Sequence, residues 1–220
     1  MNTNTIVPLI LAGDGEPGLW PVSRDALPKQ FAQLVEGPTL FQQTVKRVTD
    51  PAVFAAPIVV TTRRCLSLAK DQLSQEGCTQ ARILCEPSGL GSAASISLAL
   101  ELVGANQTVM VIPSGHATHD NFAFRRAAVA ARRLAARNAC IVALGIPPEH
   151  PETNCGYLRT GAPILGEPGL LLEAIVERPS PELAARLIRT PGVFWNSGIF
   201  LFDRDIAHAE FEAHAAALLR

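Results

Sequence analysis

Long apolar runs are missing from this 220-residue sequence: none approaches the roughly 20 residues that a membrane-spanning helix needs. The first ten residues also lack a basic segment followed by an apolar one, so no secretory leader is expected and a soluble cytoplasmic protein is. Charge is scarce too. Only 18% of residues are charged and the formal net charge is -1, which excludes a nucleic-acid-coating surface and a highly charged disordered chain. Cysteine is limited to Cys65, Cys78, Cys85, Cys140 and Cys155, an odd and scattered set without the CxxC spacing of a zinc site or redox pair. Most of these are expected to be small core residues in a reducing compartment. No internal repeat or low-complexity linker divides the chain. What is abundant is apolar residues, 48% of the total, enough at this length to bury one sizeable core.

Thr5 to Leu11 is a short apolar run entering Ala12-Gly13, which reads as a buried strand leading into a tight loop. The pattern returns at Pro57 to Thr62, Arg82 to Cys85, Thr108 to Ile112 and Ala139 to Leu144. Between these runs, helical spacing covers Thr39 to Val48, Leu66 to Leu73, Ser92 to Val103 and Phe122 to Ala136. Strands alternating with helices predict βαβ units and a mainly parallel sheet with helices on both faces. After Gly145 the chain becomes proline-rich, with strands expected at Leu170 to Val176 and Gly198 to Phe202 and a helix at Pro181 to Leu187. Ligands of such sheets bind beyond the carboxyl ends of the strands, so the informative loops are those after Leu11, Cys85 and Ile112.

The first of these loops, Gly13-Asp-Gly15-Glu-Pro-Gly18, matches GxGxxG and follows a strand. Its third glycine should open a helix, but Pro21 and Pro28 would break one, so the dinucleotide-binding reading is set aside. The segments that follow carry more information: Leu19-Trp-Pro-Val-Ser-Arg24, Pro28-Lys-Gln-Phe31, Glu86-Pro-Ser-Gly89 with Ala93, and Ile112-Pro113 with His116. Further on come Pro151-Glu-Thr153 with Gly156-Tyr157, Val176-Glu-Arg-Pro179, and Trp195-Asn-Ser-Gly198 before Phe200-Leu-Phe202. In order and spacing these resemble the LWPLSR, PKQF, EPxGRNTAPA, LPADH, PETGYGYI, VEKP and WNSGMFLF segments of mannose-1-phosphate guanylyltransferases. Those sugar nucleotidyltransferases make GDP-mannose, a polysaccharide precursor, from GTP and mannose 1-phosphate.

The resemblance implies an α/β fold with a Rossmann-like, mainly parallel sheet flanked by helices, of the GT-A-like kind. One nucleotidyltransferase-like domain would span residues 1–220, its nucleotide-binding half being 1–145 and its sugar-binding half 146–220, without the family's C-terminal part. The implied ligands are GTP or GDP-mannose and mannose 1-phosphate, with Mg2+ as cofactor and neither a nucleic-acid polymer nor a membrane as partner. Carried over residue by residue, Lys29 is the catalytic cation. Leu11, Ala12, Gly13, Glu86, Pro87, Gly89 and Ser92 would contact the nucleotide, and Gly156, Glu177, Arg178 and Asn196 the sugar.

In the reaction of that family the sugar phosphate attacks the α-phosphorus of the nucleotide and pyrophosphate leaves, so negative charge gathers on oxygens that cations must neutralise. The family's phosphate loop, LAGGSGTRLWP, is altered here to Asp14, Gly15, Glu16, Pro17 and Gly18 after Ala12 and Gly13. Two carboxylates stand where phosphate oxygens would approach, the arginine position is Gly18, and Pro17 has no N–H to donate. Losing one preorganised donor commonly costs roughly 10²- to 10³-fold in rate. The metal-binding aspartate of LPADH corresponds to Gly115, which has no side chain to ligate magnesium; Asp14, Asp120 and His119 are the available substitutes, and no metal ligand is assigned. Leu90 and Gly91 stand at the Arg-Asn pair, Ala94 at the proline of EPxGRNTAPA, and Asn154 and Cys155 beside Gly156-Tyr157. Arg178 replaces the lysine of VEKP, a planar fork instead of a compact ammonium. The sequence ends at Arg220, before the family's VDWSDVGSW segment, so either it is a piece of a longer chain or a second metal ligand is absent.

Catalysis is therefore expected to be weak or lost; the alternative is a noncatalytic protein that binds a sugar nucleotide, forms a homo-oligomer, or pairs with an active homologue as a regulatory partner. Simpler roles compete for several positions. Lys29 by itself reads as a solvated lysine, Asn196 as a turn cap before Gly198, Glu177 as a strand-end carboxylate and His116 as a hydrogen-bonded structural residue. Trp20 and Trp195 read as packing groups, and Arg125, Arg126, Arg132, Arg133 and Arg137 as one solvated helix face that could also meet an acidic partner.

Overall fold

The computed structural model describes residues 5–13, 19–24, 26–34, 36–87, 89, 91–118 and 120–219. The departures expected at Asp14, Gly15, Glu16, Pro17, Gly18, Leu90 and His119 lie outside them. The first half alternates as the sequence predicts, through β1 (Ile6–Ala12), α1 (Leu40–Arg47), β2 (Ile58–Thr62), α2 (Leu66–Gln75), β3 (Arg82–Glu86), α3 (Ser92–Leu100), β4 (Thr108–Pro113), α4 (Asn121–Asn138) and β5 (Val142–Ile146). β1 to β4 form a parallel block in the order β3-β2-β1-β4, with Leu9 opposite Ile58 on one side and Val111 on the other. Covered on both faces, β1 is a continuous apolar run and β2 is buried at every position, ending in Thr61 and Thr62, in place of an alternation.

Alternate side chains of β1 enter different layers. Ile6 and Ile10 join Phe41 and Val45 of α1, Ala69 of α2 and Phe124 and Ala128 of α4. Val7 and Leu9 join Leu100 of α3. Helices thus cover both faces of one sheet. α1 opens at the capping threonine that the sequence offers: Thr39 Oγ1 accepts from the Gln42 amide at 3.2 Å while Gln42 Oε1 accepts from the Thr39 amide at 2.9 Å. The cysteines fit the expectation only in part, since Cys65 is buried but Cys85, on the edge strand β3, is exposed.

The second half adds β6 (Tyr157–Pro163), β7 (Leu170–Val176), α5 (Pro181–Leu187), β8 (Val193–Asp203) and α6 (Arg204–His214), closed by a 3-10 turn at Ala216–Leu219. β8 is antiparallel to β4, β5 and β6, and β7 is antiparallel to β6, so β1 to β6 share one direction and β7 and β8 oppose it. The sheet is mixed and mostly parallel in direction. β6 and α6 were not expected. Gly161 and the terminal Pro163 weaken the strand signal of β6, which forms because Tyr157 and Leu158 pair with Trp195 and Phe194. α6 is polar apart from a narrow stripe that buries Ala207 in the α3 layer.

β8 starts five residues before the expected Gly198, and a bulge lies within it. Ala143 of β5 faces Phe200 whereas Gly145 faces Asn196, leaving two extra residues on β8. Ser197 Oγ donates to the Leu144 carbonyl at 2.6 Å and accepts from the Ile199 amide at 3.1 Å, and Gly198 takes a φ of 68°. No helix among the described residues is long and apolar enough to cross a membrane.

Candidate active site

The carboxyl ends of β1 to β4 lie along one edge of the sheet, where Ala12, Thr62, Glu86 and Pro113 end their strands. Three successive carbonyls at the root of the first loop are held from three directions. The Leu11 carbonyl accepts from Ser114 Oγ at 2.8 Å and from the Ser114 amide at 3.1 Å. The Ala12 carbonyl accepts from Thr61 Oγ1 at 2.7 Å, and the Gly13 carbonyl from Gln30 Nε2 at 2.5 Å. The implied nucleotide-contacting residues Leu11, Ala12 and Gly13 are therefore rigidly seated.

Lys29 opens a 3-10 turn, Lys29–Phe31, whose other residues are buried. Phe31 packs against Phe41 with ring centroids 5.0 Å apart and the planes tilted by 47°, and its carbonyl accepts from Gln72 Nε2 at 3.0 Å. Gln72 is in turn held by Thr39 Oγ1 at 2.6 Å. With its backbone fixed in this way, Lys29 extends across the end of β4. A Cβ built on Gly115 would lie 3.1 Å from Lys29 Cε and 3.8 Å from Lys29 Nζ. The tip of Lys29 thus borders the space that a side chain at position 115 would use.

Two further basic residues stand behind it. Arg47 is 2% exposed, lies 5.3 Å over the Phe124 ring and donates to the His116 carbonyl at 3.3 Å, while its Nε has no partner. Desolvation first, then the charges of Lys29 and Arg47, lowers the His116 pKa below its ordinary 6.5, so the ring is mostly neutral at pH 7. His116 is exposed, and it is its backbone carbonyl, not its ring, that accepts from Arg47.

On the neighbouring strand Glu86 is 3% exposed with Oε1 unpartnered, the only carboxylate oxygen so buried and unbonded among the described residues. Pro87, Gly89 and Ser92 follow it as exposed residues of the β3–α3 connection. Ser92 starts α3 after Gly91, and no side chain caps that helix, so its first N–H groups face solvent or a ligand.

The residues implied for the sugar gather where β6, β7 and β8 meet. The Gly156 carbonyl accepts from the Asn196 amide at 2.7 Å, and a Cβ on Gly156 would lie 2.6 Å from Glu177 Oε1. Only glycine allows this carboxylate to lie across the chain. Asn196 Oδ1 accepts from the Gly198 amide at 3.0 Å, the turn-capping role. Arg178 is exposed and takes a φ of 41°, a left-handed conformation that turns the chain sharply after β7. Gly198 joins the two groups of residues, since a Cβ there would lie 3.1 Å from Pro113 Cγ.

Several supporting residues were not singled out from the sequence: Gln30, Thr61, Ser114, Arg47 and Glu152. Gln30 could have been found from its place in PKQF, but Thr61 and Ser114 carry no local signal. Glu152 Oε1 accepts from the Thr153 and Asn154 amides at 2.7 and 2.8 Å, bonds that lower its pKa, the Asn154 contact most. The buried Tyr157 hydroxyl bonds both the amide and the carbonyl of Glu152, at 2.8 and 2.9 Å, pinning the loop in front of β6. Trp195 packs edge-on against His150 at 4.9 Å, as a packing group should, whereas Trp20 is 80% exposed and is not one. The arginine face of α4 is not wholly solvated either, since Arg137 pairs with Glu167 at 2.6 Å and Arg125 approaches Asp50 at 3.8 Å.

Residues 7–217 match the sequence model of the nucleotidyl transferase family. The chain belongs to that family. It is 37% identical over 218 residues to a mannose-1-phosphate guanylyltransferase of Sinorhizobium fredii, covering 97% of this chain and 42% of that protein. It is 34% identical over 215 residues to the alginate biosynthesis protein AlgA of Pseudomonas aeruginosa, covering 96% of this chain and 44% of the relative. Among solved structures it superimposes on a Thermus thermophilus protein described as a mannose-1-phosphate geranyltransferase, with a TM-score of 0.84 and 31% identity, covering 98% of this chain and 62% of the other. The chain thus spans less than half the length of the two curated relatives.

The residues at the end of β4 do not fit the magnesium ion that the resemblance implies. Gly115 offers no oxygen from a side chain, and the tip of Lys29 lies 3.1 Å from where its Cβ would be. Asp120 is committed to capping α4, with Oδ1 accepting from the Phe122 and Ala123 amides at 2.9 and 2.8 Å. Among the described residues no cluster of three metal-ligating side chains occurs.

Proposed function

We propose that this chain is a mannose-1-phosphate guanylyltransferase-like protein that binds GTP or GDP-mannose together with mannose 1-phosphate, and whose transfer step is weak or lost. The nucleotide would lie over the carboxyl edge of β1 to β4, against Leu11, Ala12, Gly13, Glu86, Pro87, Gly89 and Ser92. The sugar would lie at Gly156, Glu177, Arg178 and Asn196. Transfer requires a new bond from the sugar-phosphate oxygen to the α-phosphorus, with the bond to the β-phosphate's bridging oxygen breaking and pyrophosphate leaving. Lys29 is the side chain placed to offset that charge, and one monovalent cation is a poor match for the charge that leaves.

The single observation that carries the weak-transfer reading is Gly115, which offers no side-chain oxygen to a metal ion at the end of β4. Binding survives such a change more readily than chemistry does, because only charge stabilisation specific to the transition state is removed. The test is pyrophosphate release from GTP and mannose 1-phosphate with magnesium, alongside calorimetry with GTP, GDP-mannose and mannose 1-phosphate. Binding with release near background is the expected result. Turnover of about 1 s⁻¹ or more, ordinary for an enzyme, would refute weak transfer. Absence of binding by all three ligands would refute the ligand assignment.

A further inference from the structure

We propose that the outer face of α4 is a docking surface for an acidic amphipathic helix of a partner protein. This surface shares no residue with the nucleotide and sugar sites proposed above. α4 carries Arg125, Arg126, Arg132, Arg133 and Arg137 and no aspartate or glutamate. Helix faces that only meet water usually balance such charges with carboxylates three or four residues away, and this helix offers none. Five of the chain's 19 cations therefore lie on one helix while all 20 carboxylates lie elsewhere, so the face is basic although the net charge is -1. Two of the five are answered from other segments, Arg137 by Glu167 at 2.6 Å and Arg125 by Asp50 at 3.8 Å. Arg126 and Arg133 are exposed, and no carboxylate among the described residues pairs with either.

Spacing and shape specify the occupant further. Phe122, Arg126, Val129 and Arg133 follow one another at intervals of four, three and four residues, the spacing at which a second helix packs along a first. Together with Arg125 they line one groove, facing Val53 of the connection between α1 and β2. Phe122 is 61% exposed, and the Arg126 guanidinium lies 5.6 Å over its ring, so an aromatic anchor and a cation are held side by side. The complement is a helix with apolar residues facing Phe122 and Val129 and carboxylates facing Arg126 and Arg133. The stripe spans about 17 Å, so a segment of about 12 residues covers it. Other occupants fit less well. A second copy packing α4 on α4 would set arginine against arginine. A bilayer would need the apolar face of α4, but Phe124, Ala128, Ala131, Leu134 and Ala135 are buried in the domain. A long polyanion would make no use of Phe122 or Val129 and would run off the groove onto surface that holds the carboxylates.

The experiment is selection from a displayed library of helical peptides, about four turns long and randomised along one face, against the native chain. The selected peptides are then synthesised and their binding is measured by fluorescence anisotropy. Enrichment of peptides with acidic and large apolar residues three and four positions apart is expected. The double variant Arg126→Glu, Arg133→Glu should weaken those peptides at least about tenfold, and Phe122→Ala should do so by a similar factor, as loss of an aromatic anchor does. Rising salt should weaken binding to the native chain. Thermal unfolding of each variant separates lost docking from lost fold, and the milder pair Arg126→Gln, Arg133→Gln repeats the test should the glutamates disturb folding. Absence of enrichment, or selected peptides that bind the glutamate variant as tightly as the native chain, overturns the inference. Tight binding of heparin that is lost in the glutamate variant but ignores Phe122→Ala would make the face a polyanion site and overturn it as well. So would a native dimer in sedimentation that the glutamate variant dissociates, since the occupant would then be a second copy. None of these outcomes bears on the nucleotide-binding reading.

Discussion

Gly156 and Gly115 are two glycines over which a side chain from another element lies, and those side chains have opposite charge: Glu177 at the first, Lys29 at the second. At Gly156 the approach is so close that even one methyl group displaces the carboxylate. Glu177 is exposed and can rotate away, so Gly156→Ala should change stability by less than about 0.5 kcal/mol, measured by urea denaturation. Mannose 1-phosphate should nevertheless bind about tenfold more weakly by calorimetry, the worth of one displaced hydrogen bond to a charged group. Unchanged affinity would remove Glu177 from the sugar site. His116 allows a prediction of pH dependence. Its folded pKa is below 6.5, so the unfolded chain binds the proton more readily, and stability is complete above that pH and falls as pH drops below it. His116→Gln should flatten part of the decline in urea midpoint between about pH 7.5 and about pH 5; a parallel decline in both proteins would show that His116 does not contribute.

At the scale of elements, the bulge in β8 decides how the two groups of site residues meet. It inserts two residues opposite Leu144, bonds Ser197 to that residue's carbonyl, and turns Gly198 into the left-handed region against Pro113. An alanine at position 198 would have both an unfavourable φ and a Cβ 3.1 Å from a proline ring that cannot swing aside. Gly198→Ala is expected to destabilise the fold by about 1–3 kcal/mol, read from the denaturant midpoint at constant slope. A cost below about 0.5 kcal/mol would mean that the bulge relaxes freely. The same bulge shows why the sequence placed the strand start at Gly198: the residues before it break strict alternation, and only pairing with β5 and β6 makes Val193–Asp203 one strand.

At the scale of the whole molecule, one eight-stranded sheet carries both groups of residues, because β8 pairs with β4 and β5 from the first half of the chain and with β6 from the second. The first half was legible in the sequence because each of its elements is encoded locally. Buried parallel strands are continuous apolar runs, helices carry their own caps at Thr39 and Asp120, and the alternation of the two predicts the parallel block. The second half was less legible because β6 and α6 depend on partners distant in sequence, and their own composition is polar or interrupted by glycine. The motifs that relate the chain to nucleotidyl transferases are likewise short local strings, so the sequence by itself determined the family, the strand-end loops that matter and the loss of a carboxylate at position 115. Which side chain borders Gly115 was decided only by tertiary structure. Lys29 and Gly115 are 86 positions apart in the chain, and their contact depends on Gln30 holding Gly13, on Phe31 entering the core and on β1 lying beside β4. Composition and spacing carry the identity of a side chain, but the charge facing a ligand is set by which distant side chain the packed core aims into the space.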